Sequence, residues 1–278
     1  MKSFCHEHKI DNIQKAIELF SIFGGVEWGE IDLAVKPFDL VKKLILDDYT
    51  FIRNDISITT TGLPLYHSIL SAIALGDGRV HSALKHANVN IEVGTKAIDE
   101  LLKIGIITKE KPRVKSKNDY NVSNKLHFNT PFMRFWFAFV SPIFKGIKEG
   151  DYKEIEDRFN KRISEFEGYI FEQLSQEFLK TSFVDDAIVE NGNYWDKDTE
   201  IDIYAKSRSK KVIVGSCRYT NSKIKKSELT KLQEKAQEAG IKADIFVLFA
   251  KNGFSSELKS LKSDALRLYT LKSFKSLL

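Results

Sequence analysis

Apolar positions recur at helical spacing along the first part of the chain. Ile10, Ile13, Ala16, Ile17 and Phe20 form one stripe, and Phe38, Val41, Leu44 and Ile45 form another. Gly24, Gly25 and Gly29 punctuate between them, and Thr59 to Pro64 closes a helical N-terminal segment, residues 1–62. Three short helices are expected next. Tyr66, Ile69, Leu70 and Ile73 share one face of the first, over 65–75, before Gly76-Asp77-Gly78 breaks it. The second covers 80–87. The third runs over 91–104 with Val93, Ala97, Ile98, Leu101 and Leu102 inward, and Gly105 stops it as a C-terminal glycine does. Short strands are expected at 106–108 and 120–122, with a charged loop between. The aromatic run from Thr130 to Phe144 predicts a buried linker helix, and Gly146 to Gly150 a hinge.

Beyond residue 161 the period alternates between helical and strand-like. Ile163, Phe166, Ile170, Phe171, Leu174 and Phe178 predict an amphipathic helix over 162–180. Strands follow at 187–189, 200–205 and 211–217, then a helix at 229–239. The run ADIFVLFA at 243–250 is apolar enough for a strand covered on both faces, and a last strand at 266–270 precedes a terminal helix. This order predicts a mixed sheet flanked by helices. Three helices followed by a basic hairpin predict a winged helix-turn-helix. The expected fold class is α+β and multi-domain: helical segment 1–62, winged helix 63–129, aromatic linker 130–160, and an α/β domain with a mixed sheet over 161–278.

Composition narrows the setting. Hydrophobic residues make up 42% and charged residues 29% of 278 positions, which excludes a disordered chain. Two cysteines, Cys5 and Cys217, cannot build a disulfide framework, and the N-terminal MKSFCHEHKI lacks the apolar core of a secretory signal. A cytoplasmic location is therefore expected. The apolar run Thr130–Phe144 is too short for a bilayer, so no membrane partner is expected.

Lys and Arg number 43 against 38 Asp and Glu, a net charge of +5 that is concentrated in two places. Between Lys103 and Lys125 seven basic residues face only Glu110 and Asp119, and between Lys206 and Lys235 ten face only Glu228 and Glu234. Such patches attract phosphate backbones, so DNA or another nucleic acid is the expected partner. Thr95 and Lys96 on the third helix are candidates for contact with bases. Lys109, Lys111, Arg113, Lys115 and Lys117 in the hairpin, with Lys223, Lys225 and Lys226 in the second patch, are candidates for the backbone. Glu92, Asp99 and Glu100 on the same helix oppose close approach of phosphates.

The C-terminal motifs carry a resemblance. Phe171-Glu172, then Glu200-Ile201-Asp202-Ile203, then Val214-Gly215-Ser216-Cys217-Arg218-Tyr219, resemble PD-(D/E)XK restriction-endonuclease-like domains. The arrangement looks similar to the C-terminal domain of unknown function appended to archaeal-type AAA ATPases. Phe23-Gly24-Gly25-Val26, Tyr66 to Ile107 and Phe135-Trp136 extend the likeness upstream, so it covers roughly residues 20–278. The P-loop half of those ATPases has no counterpart and no G-x-x-x-x-G-K-[ST] occurs, so no ATP is expected, and a separate ATPase becomes a candidate protein partner.

The resemblance implies a chemistry and two departures from it. In that family, carboxylates matching Asp202 and position 216 hold Mg²⁺, a lysine matching position 218 positions water, and a helix glutamate matching Glu172 assists. Asp202 and Glu172 are thus the implied metal ligands, whereas Ser216 and Arg218 depart from the pattern. A serine hydroxyl is a poor anionic ligand. Arg218 cannot deprotonate to act as a base, although its guanidinium suits a phosphate clamp. Glu200, two residues before Asp202, falls on the same strand face by period two. Glu172, Glu200, Asp202 and Arg218 are therefore the catalytic candidates. Three readings stay open: a nucleic-acid-binding protein with a degenerate, inactive nuclease-like domain; a weak Mg²⁺-dependent DNA nuclease using Glu172, Glu200 and Asp202; and a regulatory adaptor that docks onto a separate ATPase or another protein.

Overall fold

The computed structural model describes residues 1–112 and 122–278. The N-terminal stripe forms helix α1 (Ile13–Phe23), whose start is capped by the Asn12 side chain accepting from the Lys15 amide. The second stripe forms helical turns over Pro37–Val41 and Lys42–Leu46, and a further helix, within the expected helical segment but marked by no apolar stripe of its own, follows at Tyr49–Thr59. Next come α2 (Pro64–Leu75), α3 (Val80–His86) and α4 (Ile91–Ile104). Asn90 caps α4, and Gly105 ends it at φ +82, a left-handed conformation open to glycine.

Two details of this region correct the sequence reading. Val93 points outward, half exposed, and Gly94 takes the inward position. A Cβ on Gly94 would overlap the Leu84 side chain, so the close approach of α3 and α4 turns the buried face by one residue. The hairpin pairs β1 (Ile107–Glu110) with β2 (Lys125–Phe128) in antiparallel register, Ile107 opposite Phe128. The return strand thus comes later than 120–122. Val122 belongs to no strand, and the Tyr120-Asn121 part of that expectation lies outside the described residues.

The aromatic run is helical throughout, as a series of short turns from Pro131 to Lys148. Phe135, Trp136, Phe137 and Phe139 are buried. Trp136 stacks on Tyr49 with ring centroids 5.7 Å apart, and Phe139 meets Phe166 edge-on at 5.1 Å. One apolar cluster therefore extends from Phe4 through the three helices to Phe166. Helix α5 (Lys153–Ser182) starts nine residues before the expected 162. Its first turn is rich in Glu154 and Glu156, which favour a helix N-terminus.

The remainder is a five-stranded sheet in the order β3 (Ile188–Trp195), β4 (Glu200–Ser207), β5 (Val212–Arg218), β6 (Ile245–Ala250), β7 (Leu266–Thr270). The first three strands are antiparallel and the last three parallel, so the sheet is mixed. Helix α6 (Lys226–Glu238) makes the crossover between β5 and β6. Ile170, Phe171 and Leu174 of α5 pack on Ile203, Ile213 and Val247 from one face. Leu229 and Leu232 of α6 pack on Tyr204, Val214 and Leu248 from the other. Gly215 sits where the layers are tightest: a Cβ there would overlap Val247 and lie 3.0 Å from Ile203 Cβ. Among the described residues no single helix is long and apolar enough to cross a membrane.

Candidate functional site

The β4–β5 ladder runs from Lys206↔Val212 to Ile203↔Gly215. One residue beyond it, the Asp202 carboxylate takes over the bonding role of the backbone. Its Oδ2 accepts from the Cys217 amide (2.7 Å), from Arg218 Nη1 (3.0 Å) and from Ser216 Oγ (3.3 Å). The same Ser216 hydroxyl lies 3.0 Å from Glu228 Oε1, and Arg218 Nη2 lies 2.6 Å from that oxygen. The guanidinium therefore bridges two carboxylates from two elements, β4 and α6. Burial alone would lower the Arg218 pKa, but Asp202 and Glu228 outweigh it and raise the value, so the charge is fixed. This cluster lines a cleft of about 310 Å³ whose wall includes Lys231 and Lys235.

Glu172 and Glu200 have other partners. Glu172 projects from α5 and accepts from the Asn193 side-chain amide on β3. Burial, and then the Asp202 carboxylate, push its pKa up to about 8, so it holds its proton at neutral pH. Glu200 is paired with Lys125 on β2 and, at 3.7 Å, with Arg79 before α3. Lys125 is almost fully buried and its ammonium lies 5.1 Å over the Trp195 ring. Trp195 in turn donates from Nε1 to the Ser123 carbonyl at 2.9 Å. The hairpin thus rests on the start of β4, with its charge spent on Glu200. Of the four sequence candidates, Asp202 and Arg218 touch directly, Glu172 faces Asp202 electrostatically, and Glu200 is held by the hairpin.

This donor set does not fit a resident Mg²⁺. Asp202 Oδ2 already takes three donors, one of them a fixed cation, position 216 offers only a neutral hydroxyl, and Glu172 is bonded to the Asn193 amide. No group of three or more His, Cys, Asp and Glu among the described residues is arranged to hold a metal ion.

The candidates for nucleic-acid contact fall in two groups. Thr95 and Lys96 are exposed on α4, but the Thr95 hydroxyl bonds back to the Ile91 carbonyl at 2.7 Å and Lys96 pairs with Glu92 at 2.9 Å. Lys109 lies 3.7 Å from Asp99, and Lys111 is exposed; Arg113, Lys115 and Lys117 lie outside the described residues. Lys223, Lys225 and Lys226 are exposed around the first turn of α6, with Lys226 3.6 Å from Glu257. Lys231 is exposed one turn further along.

Sequence reasoning missed Glu228. Its only signal was an acidic residue isolated in a basic patch, at the first turn of a helix that follows the motif strand. It also missed the packing role of Arg134, whose guanidinium lies 4.0 Å from the Phe166 ring centroid and 4.2 Å from that of Tyr169.

Residues 136–232 match the family model DUF234, described as archaeal and bacterial proteins of unknown function. That stretch, about a third of the chain, starts within the aromatic run and ends on α6, and so contains Glu172, Glu200, Asp202, Ser216, Arg218 and Glu228. No curated protein and no solved structure matches the chain. The region bearing the cluster is thus similar to a C-terminal domain of unknown function.

Proposed function

We propose that this chain binds nucleic acid through its basic surfaces and that its nuclease-like domain is catalytically inactive. The observation that carries the second half is the closed network around Asp202. In a working site of this class two anionic ligands would face a divalent cation. Here Arg218 supplies an internal positive charge to Asp202 and Glu228, and Ser216 supplies a hydroxyl where the second ligand is expected. With the carboxylates neutralised from within, no water is activated and a phosphodiester is bound without being cut. On this reading Mg²⁺ is not a cofactor, and the trihelical unit with its hairpin is a winged helix.

Four exposed lysines, Lys223, Lys225, Lys226 and Lys231, support the first half, since they cluster around the first turns of α6, which walls the same cleft. Removing one phosphate contact flattens the dependence of log affinity on log salt by about 0.7–0.9. Fluorescence anisotropy with labelled single- and double-stranded DNA tests this. The triple variant K223E/K225E/K226E is expected to bind more weakly and to flatten the slope by about 2. Unchanged binding and slope, or no binding by wild type at low salt, would remove the proposal.

One observation favours the adaptor reading instead. Ile91 and Val93 at the start of α4 are 66% and 50% exposed, an apolar pair where a base-reading helix would carry polar groups. A protein complex that survives nuclease treatment and is abolished by I91E would support it.

A further inference from the structure

A cavity of about 580 Å³, in the range of small-molecule sites, lies between the hairpin and α5. Helix α5 turns two different faces to its surroundings. Ile170, Phe171 and Leu174 pack on the sheet. Tyr169, Glu172, Gln173 and Gln176, spaced i, i+3, i+4 and i+7, line the cavity. A stripe needed only for packing would be apolar. This one carries a phenol, a carboxyl and two amides.

The polar groups there are partly spent and partly free to bind. His127 is fixed on both sides, one nitrogen 3.0 Å from Glu110 Oε2 and the other 2.9 Å from the Tyr169 hydroxyl. Its ring stacks on Tyr169 at 6.2 Å and 26°, which makes a rigid planar wall. Arg134 donates one N–H to the Phe166 carbonyl at 3.1 Å and keeps its other donors. Gln176 is anchored through Nε2 by Asn193 and the Asp202 carbonyl, leaving its oxygen as an acceptor. The Gln173 amide is exposed at the mouth and bonds nothing among the described residues. Three cationic side chains (Lys109, Lys125, Arg134) and four carboxyl side chains (Asp77, Glu110, Glu172, Glu200) line the cavity, so opposite charges nearly offset each other.

We propose that this cavity binds a nucleobase, stacked against the His127–Tyr169 wall, with its edge read by Glu172, Gln173, Gln176 and Arg134. A nearly balanced, polar, flat-walled cavity suits a neutral planar molecule that carries both donors and acceptors, and amide side chains read such edges in pairs. The base can come from a free nucleoside or from an unstacked nucleotide of a strand. The first source does not depend on the basic surfaces discussed above.

The full chain would be titrated with adenosine, guanosine, cytidine, uridine and thymidine, followed by saturation-transfer NMR and calorimetry. It would also be titrated with single strands carrying 2-aminopurine, followed by fluorescence, with anisotropy on the same samples. Saturable binding of at least one nucleoside, weakened roughly five- to tenfold in both Q173A and the isosteric E172Q while neither variant melts at a lower temperature than wild type, is the expected result. A 2-aminopurine signal with no free nucleoside bound supports the same chemistry with the strand as source, provided that the variants abolish it. Strand binding by anisotropy with neither signal overturns the proposal and leaves the nucleic-acid reading standing. Binding that both variants leave untouched overturns it as well.

Discussion

Replacing Arg218 by Met keeps most of the side-chain volume and removes the charge that joins Asp202 to Glu228. Both carboxylates reach the Ser216 hydroxyl, at 3.3 and 3.0 Å, so their oxygens stand no more than about 6 Å apart. One hydroxyl proton serves only one of them at a time. At an effective dielectric of about 20, two unit charges at about 6 Å repel by about 3 kcal/mol. The side chains of Asp202, Glu228 and Arg218 are 18%, 16% and 36% exposed, so solvent screens part of this. The expected loss of stability in R218M is therefore about 2 kcal/mol at neutral pH, below the 3–5 kcal/mol typical of a fully buried pair broken on one side. Urea denaturation followed by circular dichroism measures it. Adding E228Q to R218M removes the repulsion and should restore most of the loss, and acidification should restore part of it in the single variant. A loss in R218M below about 0.5 kcal/mol, or no recovery in the double variant, would refute the idea that the guanidinium serves as the internal cation of this cleft.

Two further perturbations bear on the same domain. Folded Glu172 keeps its proton to about pH 8, whereas an unfolded glutamate releases it near 4.5. The folded state therefore binds more protons between those values, and stability contributed by the protonated group falls as pH rises from 4.5 through 8, by at most about 1.4 kcal/mol per unit. E172Q should flatten that decline; Glu167, pushed up to about 7 by burial and then by Glu18, contributes equally to both proteins and cancels. Identical pH profiles for wild type and E172Q would show that Glu172 ionises normally. Gly215→Ala forces a methyl against Val247 and Ile203 and should cost about 1–3 kcal/mol in the same urea assay, and a melt like that of wild type would mean the layers have room to spare.

Much of the frame was legible because local pattern and tertiary environment agree. Period-two alternation over 200–205 and the unbroken apolar run at 245–250 both give strands, although β4 is covered on both faces, Ile203 by α5 and Tyr204 by α6. Helix α4 forms over 91–104 with its cap at Asn90 and its stop at Gly105, where side-chain chemistry dictates both ends. Strand β3 was harder to read. Its Glu190-Asn191-Gly192-Asn193 stretch has weak strand propensity, and it holds its place through pairing with β4, with register shifts between Ile188 and Glu190 and between Gly192 and Tyr194. The return strand of the hairpin had a readable signal, Leu126 and Phe128 alternating with Lys125 and His127, which the nearer Tyr120 and Val122 obscured.

The site was legible as a motif but not as a network. Asp202 and Arg218 are sixteen residues apart on adjacent strands, so the motif itself brings them together. Glu228 reaches them only because α6 folds back over β5, and Lys125 reaches Glu200 across seventy-five residues. Neither contact leaves a periodic trace in the sequence. Both fix the charge balance of the cleft, on which the proposed inactivity rests.

The most direct measurement is to incubate the protein with end-labelled single- and double-stranded DNA in Mg²⁺ and in Mn²⁺, reading anisotropy for binding and gel length for cleavage in the same samples. Strands bound and intact, with affinity the same in EDTA as in Mg²⁺ at matched ionic strength, are what the closed Arg218 network predicts. Metal-dependent cleavage that disappears in D202A would contradict it.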